Sequence, residues 1–525
     1  MPQRVSLDAM IPRADFGIAD EEANVSGELI RDFPIANLAS ESPVLKLLRK
    51  PDFQRETNHW TPDQLATFVA SFLDSEVIPS LILWKSPQYI FVIDGGHRLS
   101  ALRAWMMDDY GDGAISLAFY GADISEDQKR IARRTRNLVE KMIGRYSKLR
   151  DQVDATPTVR RAKTLFTRAL TLQWVYGSPA VAETSFFKIN SQGTPLDETE
   201  GMLIRNRRKP IAIAARAILR AGGGHKYWSA FGNQQSAEIE GLAGQFHTLL
   251  FDPQADTPIT TLELPLGGSV SPLDALSLLI EFLSIAAGRS QEVMTIERYP
   301  DDDTGDGTTR ALKNSLQILN RITGKTPGSL GLHPAVYFYN ERGKYARFLF
   351  LGMTALITEK VRNNDDQFFR KFTDAREKLE EFLIQNKSLL TLVLTNMSKA
   401  QRASKMRDLF EFFVSEASTG KDLTAEVAIA RLGLRGRILE VTTPQTTSHI
   451  SDDTKSMLFV REAINKALRC PLCEGLLDPS KSSSYDHIRP VREGGTGDIS
   501  NVQLVHPYCN SSEKGKPDSE GEKPD

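Results

Sequence analysis

The spacing of apolar residues along the chain alternates between extended and helical periods. Thr61-Pro62 is followed by Leu65, Phe68, Val69 and Phe72 at helical intervals, with proline at the first helical position, where its missing N–H is no loss. Pro79 closes that segment, residues 81–84 read as a short buried strand, Pro87 interrupts, and residues 89–93 read as a second strand. Asp94-Gly95-Gly96-His97-Arg98 then leads into LSALRAWM at helical spacing, which makes a strand, a glycine turn and a helix. Upstream, residues 30–38 have the composition of an early strand and residues 1–30 form a polar lead-in. From about residue 210 to 453 the helical period dominates, as in 273–283, 308–322, 345–361, 374–384 and 389–414, with interruptions at 222–224 and 300–307 and no repeat of fixed period. Residues 442–453 read as a polar linker, 454–468 as a helix, and the charged, proline-bearing stretch from Gly515 as a disordered tail.

A chain of 525 residues is long for one core and implies about three or four units. The net charge of -2 does not advertise a nucleic-acid binder, but the charge is unevenly placed. Residues 129–168 carry thirteen Lys or Arg, among them Arg133, Arg134, Arg136, Arg145 and Lys148, against three acids. Such a run is commonly a solvated helix face; the reading preferred here is a surface that tracks nucleic-acid phosphates, which Arg205, Arg207, Arg208 and Lys209 would extend. No apolar run reaches the roughly 18 residues that span a bilayer, and the first residues have no apolar signal core, so the expected location is the cytoplasm, with no membrane partner.

All three cysteines lie near one end. Cys470-Pro-Leu-Cys473 and His506-Pro-Tyr-Cys509 form two pairs of ligand type, each with two residues between. Three thiolates and one imidazole make a closed tetrahedral set, the donor set of a structural zinc ion, which supplies folding free energy to a module too small for a large core.

Two family resemblances add to this. Between the zinc pairs, Asp486-His487-Ile488-Arg489-Pro490, Gly494-Gly495 and Asn501-Val-Gln-Leu precede His506-Pro-Tyr-Cys509-Asn510. This stretch closely resembles the HNH endonuclease family. The resemblance implies a ββα-metal fold whose two-stranded hairpin carries Asp486 and His487, with a helix beginning near His506. It implies His487 as general base, Asp486 and Asn510 as ligands of a catalytic magnesium or manganese ion, and Asn501 as the residue that orients His487. The plain alternative is a zinc ribbon that binds without catalysing. Toward the N-terminus, FQR at 53–55, the segment from Trp60 to the Ile78-Pro79 pair, IDGGHR at 93–98 and FFKINSQGTPL at 186–196 resemble the N-terminal domain of modification-dependent GmrSD-type restriction systems, a ParB/sulfiredoxin-like fold. Gly96-His97 departs from the two glutamines usual in that family. The resemblance implies a pocket formed by Gln54, Arg55, Asp94, Gly95, Gly96, His97 and Arg98 for a nucleoside triphosphate or a DNA phosphate. On local grounds alone, the same turn reads as a strand-to-helix connection capped by Asp94.

The expected architecture is therefore multidomain α+β: a ParB/sulfiredoxin-like domain with the basic segment (1–215), a helical scaffold or sensing region (216–453), an HNH domain with a structural zinc (454–514) and a tail (515–525). The expected function is metal-dependent DNA cleavage or nicking in bacterial antiviral restriction, controlled by nucleotide or by modified or phage DNA at the N-terminal domain. A rival expectation is a nucleotide-hydrolysing regulator or DNA-binding adaptor with a vestigial nuclease. The sequence leaves the oligomeric state open.

Overall fold

A computed structural model describes residues 4–14, 16, 30–52, 54, 57–120, 124–151, 160–192, 198–221, 226–255, 257–268, 272–288, 295–395, 397–432 and 450–513. Arg55, Lys514, residues 442–449 of the expected linker and the tail lie outside them. The chain forms two compact units, Met1–Arg207 with Gly223–Tyr227, and Arg208–Gly222 with Trp228–Asp525.

The first unit is built on a six-stranded mixed sheet. Its strands are β1 (Arg13–Ala14), β2 (Asp32–Pro34), β3 (Leu48–Pro51), β4 (Leu81–Lys85), β5 (Ile90–Asp94) and β6 (Ala169–Val175), in the order β1-β3-β5-β4-β6-β2. β5 runs parallel to β3 and antiparallel to β4, with Leu83 opposite Val92 and Trp84 opposite Phe91. Alternation along these strands divides their apolar side chains between two cores. Leu81, Leu83 and Val92 join Leu65, Val69 and Phe72 on one face, while Trp84, Phe91 and Ile93 join Phe16, Ala182 and Phe186 on the other. Burial on both faces explains why β4 and β5 read as continuous apolar runs. The helix Pro62–Leu73 starts as its sequence predicts, with Thr61 and Gln64 forming a reciprocal capping box. The early strand is shorter than expected: Asp32–Pro34 pairs with β6, and residues Ile35–Leu38 then curl into a 3-10 turn. Pro34 has no N–H to extend the ladder.

The second unit is helical around its zinc-type module. The helices Asp306–Ile322, Arg347–Arg362 and Arg376–Gln385 match the expected segments closely. The expected 389–414 helix is two, Lys387–Thr395 and Lys399–Ser418, because Ser398 takes extended backbone between them. Pro210–Leu219 is buried along nearly its whole length.

The module is seated in this helical body. A hairpin of β7 (Ser484–His487) and β8 (Val502–Val505) is followed by the helix Pro507–Glu513. The loop 324–331 of the body grips both parts. Ser482, at the entry to β7, donates to the Gly324 carbonyl (2.8 Å) and pairs with the Ser329 hydroxyl (3.0 Å). The Tyr508 N–H donates to the Ser329 carbonyl (2.9 Å), and the Ser511 hydroxyl to that of Pro327 (2.6 Å).

Beneath the loop lies an ion pair with almost no solvent contact, 1% and 0% exposed, in which Arg376 Nε donates to Glu380 at 2.7 Å. Arg376 also donates to the carbonyls of Leu330 and Gly331, and Glu380 accepts from the Tyr337 hydroxyl (3.0 Å) and from the Leu476 N–H (2.7 Å). Burial opposes the charge on Arg376, but Glu380, Tyr337 and Cys473 together outweigh it and raise the pKa of the guanidinium. Breaking a buried pair leaves an uncompensated charge. Glu380→Ala should therefore lower unfolding stability by about 3–5 kcal/mol in a denaturant titration. Replacing both partners, as Arg376→Met with Glu380→Leu, should cost clearly less than the sum of the single changes.

Candidate functional site

The module places four ligand-type atoms together. One donor atom each from Cys470, Cys473, His506 and Cys509 lies within 4.8 Å of the others, and all four residues are buried. Cys470 and Cys473 flank the tight turn that the Leu476 segment closes, and Cys509 sits in the first turn of Pro507–Glu513. The His506 ring is oriented from behind: Nε2 lies 3.0 Å from the Leu476 carbonyl, so it carries the proton, and Nδ1 faces the cluster 3.4 Å from Cys473 Sγ. Burial also pushes the His506 imidazole below its ordinary pKa, toward the neutral form that ligates a metal. Donor type, number and spacing fit a zinc ion, for which Zn–S is about 2.3 Å and Zn–N about 2.0 Å.

Beside this cluster the hairpin pairs Asp486 with Gln503 and His487 with Val502, antiparallel. Neighbouring positions on a strand point to opposite faces. Asp486 is accordingly buried, whereas Tyr485 is exposed and His487 half-exposed. Asn510 reaches back across the start of β7: its Nδ2 donates to the Ser484 hydroxyl (2.7 Å) and the Tyr485 carbonyl (3.0 Å). The side chain that was expected to share a cation with Asp486 is thus tethered to the strand that carries Asp486.

Asn501 acts on backbone. Its Oδ1 accepts from the Arg489 N–H (2.8 Å), and its Nδ2 donates to the Arg489 and Thr496 carbonyls (3.2 and 2.7 Å), while its own carbonyl accepts from the Ile488 N–H (2.9 Å). Any hold on His487 runs through the turn that follows it. Gly495 fits against that turn closely, since a Cβ there would lie 1.8 Å from the Arg489 carbonyl oxygen.

The first unit holds a cavity of about 380 Å³ at the turn between β5 and the helix Gly96–Met107. Gly95 has φ +98°, and a Cβ there would meet Leu81 at 2.3 Å, so glycine is required. Gln54, Asp94, Gly95, Gly96, His97 and Arg98 all line the cavity, as the sequence suggests for them; Arg55 lies outside the described residues. Arg98 is already engaged, one terminal nitrogen on Asp94 and the other on the Pro79 carbonyl. Trp60 and Phe68, which the sequence reading placed at the head and on the apolar face of a helix without assigning them to the pocket, also line the cavity. Trp60 and Phe68 pack edge to face, with centroids 5.2 Å apart, and the His97 ring lies 5.8 Å from Trp60 and 5.7 Å from His59. A histidine and a tryptophan directly before a helix cap were the available signal.

The basic segment forms the helices Glu126–Met142, Tyr146–Asp151 and Arg160–Thr167, and much of its charge meets carboxylates from elsewhere in the unit. Arg136 binds Asp112 (2.6 Å) and Asp108 (3.1 Å), and Arg161 binds Asp74 (2.6 Å). Arg168 donates to the carbonyls of Ser71, Phe72 and Glu76. Arg133, Arg134, Arg145 and Lys148 are exposed, Arg134 standing 3.8 Å from Asp63 and Arg145 bonded to Glu140.

Comparison with known families agrees with this geometry. Residues 36–208 match the model described as GmrSD restriction endonuclease, N-terminal domain, and residues 470–516 match that of the HNH endonuclease. No curated protein and no solved structure shows significant similarity to the chain. The first match spans β3 to β6 and the cavity, and the second spans the ligand cluster and the hairpin, so the chain joins in one polypeptide a GmrSD-type N-terminal domain and a C-terminal HNH endonuclease domain, the parts of a nuclease of a restriction system.

Proposed function

We propose that the chain is a metal-dependent DNA endonuclease whose cleavage is controlled from its first unit. The observation that carries this reading is the tether of Asn510 to β7 at Ser484 and Tyr485, which joins the helix after the ligand cluster to the strand bearing Asp486 and His487. The four-residue cluster would hold zinc as a structural ion. Asp486 and the Asn510 carbonyl oxygen are hard oxygen donors suited to a magnesium or manganese ion. Such an ion, when bound, would polarise the scissile phosphate and stabilise the leaving oxygen. His487, half-exposed on the opposite face of the same strand, would take the proton of the attacking water. Asn501 would fix the turn at Arg489 and so the approach of His487. Exposed Arg133, Arg134, Arg145 and Lys148 would add phosphate contacts, which give affinity without sequence choice. Arg136 would have to leave two carboxylates to join them. The cavity of the first unit would take the ligand that licenses cutting, a nucleotide or a feature of modified or phage DNA.

His487→Ala should lower metal-dependent plasmid cleavage by about a hundredfold to ten-thousandfold, with zinc content and circular dichroism unchanged. Wild-type cleavage by that variant would exclude the assignment. Cys509→Ser, or chelation strong enough to strip the cluster, should release about one equivalent of zinc and open residues 470–513 to proteolysis. Cleavage should then be lost, and excess magnesium should not restore it. Asn501→Ala should reduce the cleavage rate and leave zinc content intact, because its contacts lie on the catalytic turn and away from the cluster.

A further inference from the structure

Residues 482–484 are three serines in a row, and their hydroxyls have three different partners. Ser482 is turned to the helical body, at the Gly324 carbonyl and the Ser329 hydroxyl. Ser483 donates to the Pro479 carbonyl (3.0 Å). Ser484 accepts from Asn510 Nδ2 at 2.7 Å, and the same nitrogen donates to the Tyr485 carbonyl at 3.0 Å. Both hydrogens of the Asn510 amide are thus engaged. A carbonyl oxygen accepts only, so the nitrogen is the amide atom that faces Tyr485, and Oδ1 is left on the other side as an acceptor. Turning the amide by half a circle would exchange that oxygen for the NH2 group, and only the oxygen is a ligand for a hard cation. Whatever holds the amide against this turn decides whether Asn510 serves a cation.

Two groups hold it. The Tyr485 carbonyl belongs to the main chain and is the same for any residue at that position. The Ser484 hydroxyl is a side-chain group and makes the shorter contact. Ser484 stands two positions before Asp486 on β7, so the two side chains leave the strand on one face, the face on which Asn510 lies. The backbone beneath these groups is secured independently. Ser482 and Ser511, which flank them, bond to the loop 324–331, and β7 pairs with β8 from Ser484 to His487. Removing the Ser484 hydroxyl therefore leaves strand and helix in place and frees the amide alone, which is then held at one point.

We propose that Ser484 is a positioning residue for the cation of the nuclease: its hydroxyl fixes the Asn510 amide with Oδ1 free for the ion, on the strand face shared with Asp486. This rests on the reading that Asp486 and Asn510 hold a magnesium or manganese ion. Ser484 touches neither the ion nor the DNA in this assignment and acts only through Asn510.

The test measures manganese bound by the zinc-loaded full chain, read by electron paramagnetic resonance, beside plasmid cleavage as a function of manganese concentration. Ser484→Ala should weaken manganese binding by about tenfold to a hundredfold and raise the concentration for half-maximal cleavage to match. The maximal rate at saturating manganese should stay within about threefold of wild type, with zinc content and thermal midpoint unchanged. Ser484→Thr and Ser484→Val share one shape and differ in the hydroxyl, so Thr should restore tight binding and Val should not. That comparison isolates the hydroxyl if the Ala variant disturbs the strand. Ser483→Ala, whose hydroxyl serves the Pro479 carbonyl, should bind manganese like wild type. Equal manganese affinity in the Thr and Val variants overturns the proposal, as does a Ser484→Ala chain that keeps wild-type affinity and loses rate at every manganese concentration. Asp486→Asn separates the proposal from the reading beneath it. If that change abolishes manganese binding while the Ser484 variants bind like wild type, the cation reading stands and the positioning role fails. If it leaves manganese binding unchanged, the cation reading fails and the positioning role falls with it.

Discussion

The second unit depends on the buried pair of Arg376 and Glu380. Two opposite charges out of water are stable only while every donor and acceptor around them is satisfied. Here the satisfaction is divided between two parts of the chain. Arg376 draws in the carbonyls of Leu330 and Gly331, at the end of the loop that grips the hairpin, and Glu380 takes the Leu476 N–H beyond the second cysteine. The same Leu476 residue offers its carbonyl to His506. One helical turn of the body is therefore two hydrogen bonds away from His506 of the ligand-type cluster, and the orientation of that imidazole is inherited from the scaffold. Gly475 fits over Arg376 so closely that a Cβ would lie 2.3 Å from Nε.

This arrangement bears on how the nuclease is held. A metal ion held by the four-residue cluster would fold the knuckle, but it would not fix the knuckle in space. The grip of residues 324–331 on Ser482, Tyr508 and Ser511 supplies that, and it reaches both the strand carrying Asp486 and the helix carrying Asn510. A set of side chains divided between two elements keeps its geometry only if both rest on one rigid support.

Much of this was legible in the sequence where the information is local. Cys470, Cys473, His506 and Cys509 declare themselves by spacing because a tight turn must present each pair. β4, β5 and the glycine turn are legible because Pro79, Pro87 and Gly95 punctuate them. What was not legible is non-local. Arg376 and Glu380 are four apart on a helix, the commonest pattern of an exposed pair, and nothing in their neighbours reports that both are buried. The basic run of 129–168 looked uncompensated because Asp63, Asp74, Asp108 and Asp112, which meet it, are far away in sequence. β6 was hidden at the end of that run, although Leu170, Leu172 and Trp174 alternate as a strand requires.

Gly331 carries a last consequence. It has φ +58°, and a Cβ there would come within 2.8 Å of both the His506 ring and the Ser482 hydroxyl. A side chain on the scaffold at this point would push directly on the ring of His506. The border between nuclease and scaffold is thus a moulded fit, and the nuclease cannot be exchanged at a cut placed just before its first cysteine. A graft of residues 470–513 into another chain would have to bring the 324–331 loop and the turn bearing Arg376 and Glu380 with it. Substitutions that accumulate on one side of this seam are acceptable only when the other side accommodates them, so the two stretches, more than a hundred residues apart, form one heritable part.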